Sequence, residues 1–406
     1  MKKTISLLFP ILFLFACGYS NLENNIETPP TQFYPPISFY QFSPSLQNII
    51  NDFSSNIFLA VLEEREENPF VSPLSLYYAL AMVALGAQNE TAEEFNELLG
   101  MEANKLAPYL WQIKNGLMNT NGDTYLHLAN SVWFDKELPI NYEFSQKIKR
   151  YFGELPFSRD FRNELTVHEI NSWVYENTMG LIQEILDSIS QDTVMYLINT
   201  LYFLGVWQNR METTNRNFNL ANSTSINASF IQTTDWIYHT VNENYKAVKL
   251  SYNDNQTFML LISPIDETEV RRLNFNLENI LNSLQRSMIE VALPEFDKSF
   301  NITLNSILQS MGLNLAFDEH SADLFGLIEQ GVGFTDNPFI SRVFQDTRII
   351  VDRRGTEAAA VTTVEIWAES LNVSEKSLIF DRPFIYIIFC EYIGLPLFMG
   401  VLDRPL

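Results

Sequence analysis

The stretch from Ile349 to Ser370 constrains the fold more than any other part of the chain. It opens as a strand, Arg348 to Val351, breaks at Gly355 and runs on through small, plain residues. Laid out as a strand, alternate side chains fall on opposite faces. One face then carries Thr356, Ala358, Ala360, Thr362, Val364 and Ile366, with neither a charge nor a large ring. The other carries Glu357, Ala359, Val361, Thr363, Glu365 and Trp367. No proline occurs from Gly355 to Ile379, so no ladder donor is missing if the segment pairs. Yet Ala358-Ala-Ala and Glu357 are poor strand formers. Because Ala and Glu are good helix formers, composition alone favours a short helix capped by Thr356 or Asp352. The run has one face fit for burial and no commitment to a sheet.

The beginning of the chain reads as an export signal. Met1-Lys-Lys-Thr is a positive n-region, and Ile5 to Ala16 is an apolar run too short to span a membrane. Leu14-Phe-Ala-Cys17 ends it and resembles a bacterial lipobox, in which the signal (residues 1–16) is removed and Cys17 carries lipid; Phe15 departs from the small residue usual there. The other reading is an ordinary signal cut near Ala16. Residues 17–42 are polar, broken by Pro29-Pro30 and Pro35-Pro36, and read as a tether. The expected location is the cell envelope, across the inner membrane and anchored by lipid, with the cell surface one option. The only other cysteine, Cys390, lies inside an apolar strand, so an acylated Cys17 leaves no intrachain disulfide.

The globular domain is expected over residues 43–406. Ser43 or Ser45 can cap a helix in which Leu46, Ile49, Ile50, Phe53, Ile57, Phe58, Val61 and Leu62 recur at three and four. Leu76 to Gly86 is almost unbroken in its apolar character, a helix buried all round. Thr91-Ala-Glu-Glu94 fits a capping box. Leu126 to Phe134 alternates as a strand, Asn171 to Leu186 reads as a helix ending near Gly180, and Met195 to Trp207 is a strand buried on both faces. Asn199 sits at the centre of that strand, and an unpaired buried amide costs roughly 1–3 kcal/mol, so it is expected to bond across the sheet.

Several of these pieces carry a resemblance. Arg354-Gly-Thr-Glu-Ala-Ala-Ala360 is similar to the proximal hinge of the serpins, and Phe380-Asp-Arg-Pro-Phe384 with Leu397-Phe-Met-Gly-Val401 to their C-terminal signature. Asn68, Ser72, Pro73, Ser75, Gly86, Ala87 and Thr91 stand at the spacings of the N-terminal signature, and Asn199, Phe203, Gly205 and Trp207 match further along. The likeness runs in order from about residue 43 to the end. It implies an α+β fold with a large central mixed or antiparallel sheet, further sheets, about eight or nine helices and an exposed reactive-centre loop over residues 356–370.

The resemblance also implies a mechanism: a suicide-substrate inhibitor of serine proteases, with cysteine proteases as a second target class. The cleaved loop enters the central sheet beside the strand of Asn199, and roughly a dozen residues at about 3.3 Å each carry the attached protease some 40 Å. The hinge would comprise Arg353, Arg354, Gly355, Thr356, Glu357, Ala358, Ala359, Ala360, Val361 and Thr362. Family spacing puts the reactive bond at Glu369-Ser370, with cleavage after Trp367, Ala368 or Leu371 as alternatives. Ser72, Ser75, Asn199, Trp207, Gln345 and Glu295 would line the place where strands part. Two departures stand out. Gln345 replaces a shutter histidine, which removes any pH gating by that histidine. Arg353 stands where a glutamate usually precedes the hinge and Glu295 where its lysine lies, as if one ion pair had its signs exchanged.

Charge and motifs limit the alternatives. A net charge of −23 argues against nucleic acid or heparin-like partners, because the long-range field repels them. The four histidines stand singly, with no HExxH, CxxC, GxSxG or phosphate loop, so no catalytic residues, metal or cofactor are expected. His127 reads as a packed strand residue and His168, His239 and His320 as surface residues. The expected partners are serine proteases, in covalent complex, and a membrane through Cys17; the chain is expected to be a monomer. A non-inhibitory surface binding module of the same fold is the competing reading.

Overall fold

The structure, a computed structural model, describes residues 43–64, 66–117, 124–153, 155–190, 193–265, 269–329, 337–356 and 376–406. Contacts divide the chain into residues 1–35 and 36–406, and every described residue lies in the second unit.

Helix α1 (Pro44–Glu63) buries Leu46, Ile50, Phe53, Ile57, Phe58, Val61 and Leu62, one apolar stripe. Pro44 opens it where a missing N–H is harmless. β1 (Phe70–Val71) leads into α2 (Pro73–Ala84), and all 12 residues of that helix are buried. There follow α3 (Asn89–Leu99), α4 (Ala103–Leu117), β2 (Tyr125–Asp135), α5 (Tyr142–Phe152), β3 (Phe157–Arg159), α6 (Glu164–Asn177) and β4 (Met195–Val206). Next come β5 (Glu212–Asn219), β6 (Ser225–Val241), β7 (Tyr245–Ser251), β8 (Thr257–Pro264), α7 (Leu277–Ser283), β9 (Gln285–Pro294), β10 (Phe296–Thr303) and α8 (Asn305–Ser310). The chain closes with β11 (Arg342–Val351), β12 (Gly355–Thr356), β13 (Ser377–Ile379), β14 (Phe384–Cys390) and β15 (Leu395–Leu402).

These strands form two sheets. One has nine strands in the order β1-β15-β14-β8-β7-β6-β9-β13, with β5 on β6. The other has six, in the order β10-β11-β12-β4-β2-β3, and β11 also pairs directly with β4. The α+β reading and the large mixed sheet therefore hold. Helix α2 is buried all round and its Ser72 start touches β15, β11 and, through Ser75, β2. Cys390 is buried and free, and burial pushes its thiol up to about 12, which leaves it unreactive.

Three local expectations need correction. Helix α3 begins at Asn89 with Gln88 as its N-cap, so Thr91 lies inside the first turn. Its Oγ1 accepts from the Asp323 amide at 3.0 Å, and Glu94 accepts from the Asn314 and Leu315 amides at 2.8 and 2.7 Å. Backbone donors from a distant segment take the side chains that a capping box would have used locally. The long helix read from Asn171 starts earlier, at Glu164, and ends at Asn177; Gly180 follows with a φ of 81°. His239 is buried on β6, not on the surface. Its Nε2 lies 3.1 Å from the Lys376 ammonium, which can only donate, so Nδ1 carries the proton toward the Ile237 carbonyl at 3.2 Å.

Candidate functional site

The six-stranded sheet is not closed along its middle. β4 and β11 pair in parallel only from Arg342 opposite Tyr196 to Gln345 opposite Asn199. At the other end β12 stands between them, Thr356 opposite Gly205 on β4 and opposite Val351 on β11. Between these ends, residues 346–350 and 200–204 face a seam with no ladder joining them. The outer edges are fully engaged, β4 with β2 from Tyr125–Leu204 to Phe134–Met195 and β11 with β10 from Phe296–Val351 to Thr303–Phe344. Five residues a side at about 3.3 Å give a slot roughly 16 Å long, open to one further strand.

The closed end is a buried polar lock. Gln345 Nε2 donates to Asn199 Oδ1 at 2.6 Å and to the Ser72 carbonyl at 3.0 Å, while the Ser72 amide donates to Gln345 Oε1 at 2.8 Å. Asn199 Nδ2 reaches the Phe344 carbonyl at 3.4 Å. Ser72 Oγ accepts from the Ser75 amide at 3.3 Å, capping α2, and donates to the Leu397 carbonyl at 2.9 Å. Ser75 Oγ lies 3.4 Å from Asn130 Oδ1 on β2. A carboxamide offers a donor and an acceptor from one terminus, so Gln345 satisfies both peptide groups of Ser72 and the Asn199 oxygen together. None of these side chains titrates near neutral pH.

Backbone approach and stacked rings close the hinge end. A Cβ on Gly355 would sit 1.9 Å from the Gly205 carbonyl oxygen, and one on Gly205 would sit 2.7 Å from Phe203 and Tyr252. Only glycine fits at either place. Thr356 Oγ1 is 2.6 Å from the Tyr252 hydroxyl, and burial holds that phenol far above its ordinary range. Tyr252 stacks on Trp207 at 4.7 Å. Trp207 in turn donates its ring N–H to the Asp352 carbonyl and its amide to the Arg354 carbonyl, both at 2.9 Å. Asp352 organises the turn: its carboxylate accepts from the Arg354 and Gly355 amides at 2.7 and 3.2 Å and from the Arg354 guanidinium at 2.9 Å.

This geometry revises two expectations about the hinge. Gly355 and Thr356 already lie in the sheet, buried, so an exposed loop does not begin at Thr356. The sign-exchanged pair of Glu295 and Arg353 is not made. Glu295 Oε2 accepts from Ser229 Oγ at 2.6 Å and its amide donates to the Ser229 carbonyl, while Arg353 is exposed. Continuing the β10–β11 register by one puts Glu295 opposite Asp352, a like charge, and its side chain turns to Ser229.

Helix α6 and the segment after it cover the sheet. Trp133, Phe161, Ile170, Trp173, Val174, Ile182, Leu186, Tyr196 and Ile198 form one apolar cluster between them and the strands. Asn171 pins the segment, accepting from the Ile185 and Leu186 amides at 3.0 and 3.1 Å and donating to the Leu186 carbonyl. Arg348 bridges β11 to Asp297 on β10 and to the Leu181 carbonyl at 3.2 Å. Tyr252, Asp352, Asn130 and Arg348 are the contributors that sequence reasoning missed. Glu357, Ala358, Ala359, Ala360, Val361, Thr362, Glu369, Ser370 and Cys17 lie outside the described residues.

A sheet with a strand-wide seam, a lock at one end and a hinge entering the other has close counterparts among known proteins. The family model described as Serpin (serine protease inhibitor) matches residues 48–405. An uncharacterized serpin-like protein of Thermococcus kodakarensis is 29% identical over 100% of this chain and 99% of its own length. Serpin-Z4 of Hordeum vulgare is 30% identical over 85% of this chain and 92% of its own. Tengpin, a thermophilic serpin, superposes in its native state with a TM-score of 0.81 at 29% identity, over 91% of this chain and 97% of tengpin.

Proposed function

The chain belongs to the serpin family, generally protease inhibitors, and from that membership we propose that it traps a serine protease as a suicide substrate. The protease serine attacks the carbonyl of Glu369; the peptide bond to Ser370 breaks, the Ser370 amine leaves with a proton, and an ester joins inhibitor to enzyme. The freed strand then follows Gly355 and Thr356 into the seam between β4 and β11. The attached enzyme is carried along and distorted before water can hydrolyse the ester.

The observation that carries this reading is the seam itself, five unpaired residues long on each side, with Gly355 and Thr356 already seated at one end. A single inserted strand completes both ladders, each new bond worth about 0.5–1.5 kcal/mol net. The Ala- and Thr-rich inward face of residues 356–362 is compatible with passage. We extend the proposal to the N-terminus, where Cys17 carries lipid and residues 17–42 hold the inhibitor off the membrane.

The test is a panel of serine proteases mixed with the mature protein at neutral pH. A one-to-one adduct that survives denaturant, and a nicked form that melts well above the intact one, are the expected results. Plain cleavage with no adduct and no gain in melting temperature overturns the proposal and leaves a binding module of the same fold.

A further inference from the structure

One ionisable side chain sits at the point where the seam begins to open and takes no part in the lock. Asp346 follows Gln345, the last β11 residue paired with β4. Strand alternation turns Gln345 toward Ser72 and Asp346 to the opposite face, beneath α6. There it borders a gap of about 170 Å³, too narrow for a water-sized sphere, lined also by Val174 of α6, Ile185 of the following segment, Ile198, Asn199 and Thr200 of β4 and Phe344 of β11.

None of those neighbours can neutralise a carboxylate. β10 presents Asn301 opposite it. On its own strand, Arg348 is committed to Asp297 and the Leu181 carbonyl, and Arg342 lies over the Phe344 ring and bonds Thr303 Oγ1. β4 has no charged residue. The ionisable side chains of α6 (Glu164, His168, Glu169, Glu176) and of the segment after it (Glu184, Asp187) are exposed. Among the described residues no cation pairs with Asp346, and burial raises its carboxyl to about 6 even though the Thr347 amide favours the charged form.

We infer that Asp346 is a proton-controlled brake on the seam: its ionised form favours opening and its protonated form favours closure. Asp346 is half-buried, and a strand entering between β4 and β11 must lift Val174 and Ile185 away from this carboxylate, so that more water reaches it. The closed sheet binds the proton more tightly than the opened one. Closure is therefore strengthened as pH falls through about 6 and is weakest above it, where the carboxylate is charged but still confined. As a positioning residue for the trapping step, Asp346 rests on the inhibitor reading for its purpose, but its control of the seam does not.

Hydrogen exchange on the uncleaved protein tests the brake apart from inhibition. Corrected for intrinsic rates, the amides of Tyr196–Asn199 and Arg342–Gln345 should be about tenfold better protected at pH 5 than at pH 7.5. In Asp346→Asn, a neutral isostere, they should hold the high protection at both pH values. Equal pH dependence in wild type and variant overturns the inference. So does a carbon-13 titration of the wild-type Asp346 carboxyl that finds an ordinary value near 4, a measurement that needs no variant to fold. In an inhibition assay the wild type should turn over more as a substrate at pH 5, and Asp346→Asn equally at both pH values. A protein that shows the exchange effect and forms no adduct retains the brake and loses the inhibitor reading.

Discussion

Where β4 and β11 still pair, the strands are held by the side-chain amides of Gln345 and Asn199 and the peptide groups of Ser72, shut away from water. At the other end the same two strands are held apart by Gly355 and Thr356, and the groups around these are rings and main chain: Tyr252, Trp207, Gly205. The difference sets a direction. Breaking the polar end leaves several buried partners unpaired at once, whereas extending the hinge end adds one residue to ladders already begun. Insertion can advance from Thr356 toward Gln345 in small steps, and the lock is the last thing it meets. For the trapping reaction proposed above, that order would keep the intact sheet shut while leaving it ready to accept a strand.

The largest effect should come from the lock. Gln345→Ala removes the partners of Asn199 Oδ1 and of the Ser72 amide, residues 2% and 1% exposed, while the Ser72 carbonyl keeps the Leu76 amide. At about 1–3 kcal/mol per orphaned group, with some relief from water entering the vacated space, the intact protein should lose about 3–5 kcal/mol in equilibrium urea unfolding. The hinge end should be softer. Gly355→Ala drives a methyl into the Gly205 carbonyl, and because the Gly355 backbone is not left-handed the cost is steric alone, about 1–3 kcal/mol. The Trp207 amide, bonded to the Arg354 carbonyl, should then exchange faster while the Asn199 region keeps its protection. Equal losses in the two variants would break the contrast between the ends.

Much of this was readable from the residues. The buried helix α2, the strand ending at Val351 and the glycine after it follow from period and composition, and Asn199 declares itself as an amide in an apolar strand. The resemblance supplied the seam, since nothing in a linear pattern says that two strands will be left unjoined. What stayed hidden is long-range and unpatterned. Tyr252 meets Thr356 across 104 residues, and no local signal in Lys249-Leu-Ser-Tyr252 separates it from a surface tyrosine. Thr91 looked like a cap because a threonine three residues before a glutamate is locally sufficient, yet the Asp323 amide reaches it first. Asp346 is one acid among many in the sequence; only the fold half-buries it at the seam away from a pairing cation.

The smallest effect concerns the pair that spacing suggested and geometry denies. Arg353 is exposed in the turn, so Arg353→Glu should shift the unfolding free energy by less than about 0.5 kcal/mol. Glu295→Arg is different in kind. It deletes the bond from Ser229 Oγ and brings a cation to a half-buried place, so a loss of about 1–2 kcal/mol is expected, though the new charge would lie opposite Asp352 and recover part of it. The double variant should then show the sum of the two changes within about 0.5 kcal/mol, as for sites that share no partner. A double variant that regains wild-type stability would mean that Arg353 reaches Glu295 in solution. The Asp352 turn could not then keep its present bonds to the Arg354 and Gly355 amides, and the hinge end would carry a second ion pair beside that of Asp352 with Arg354.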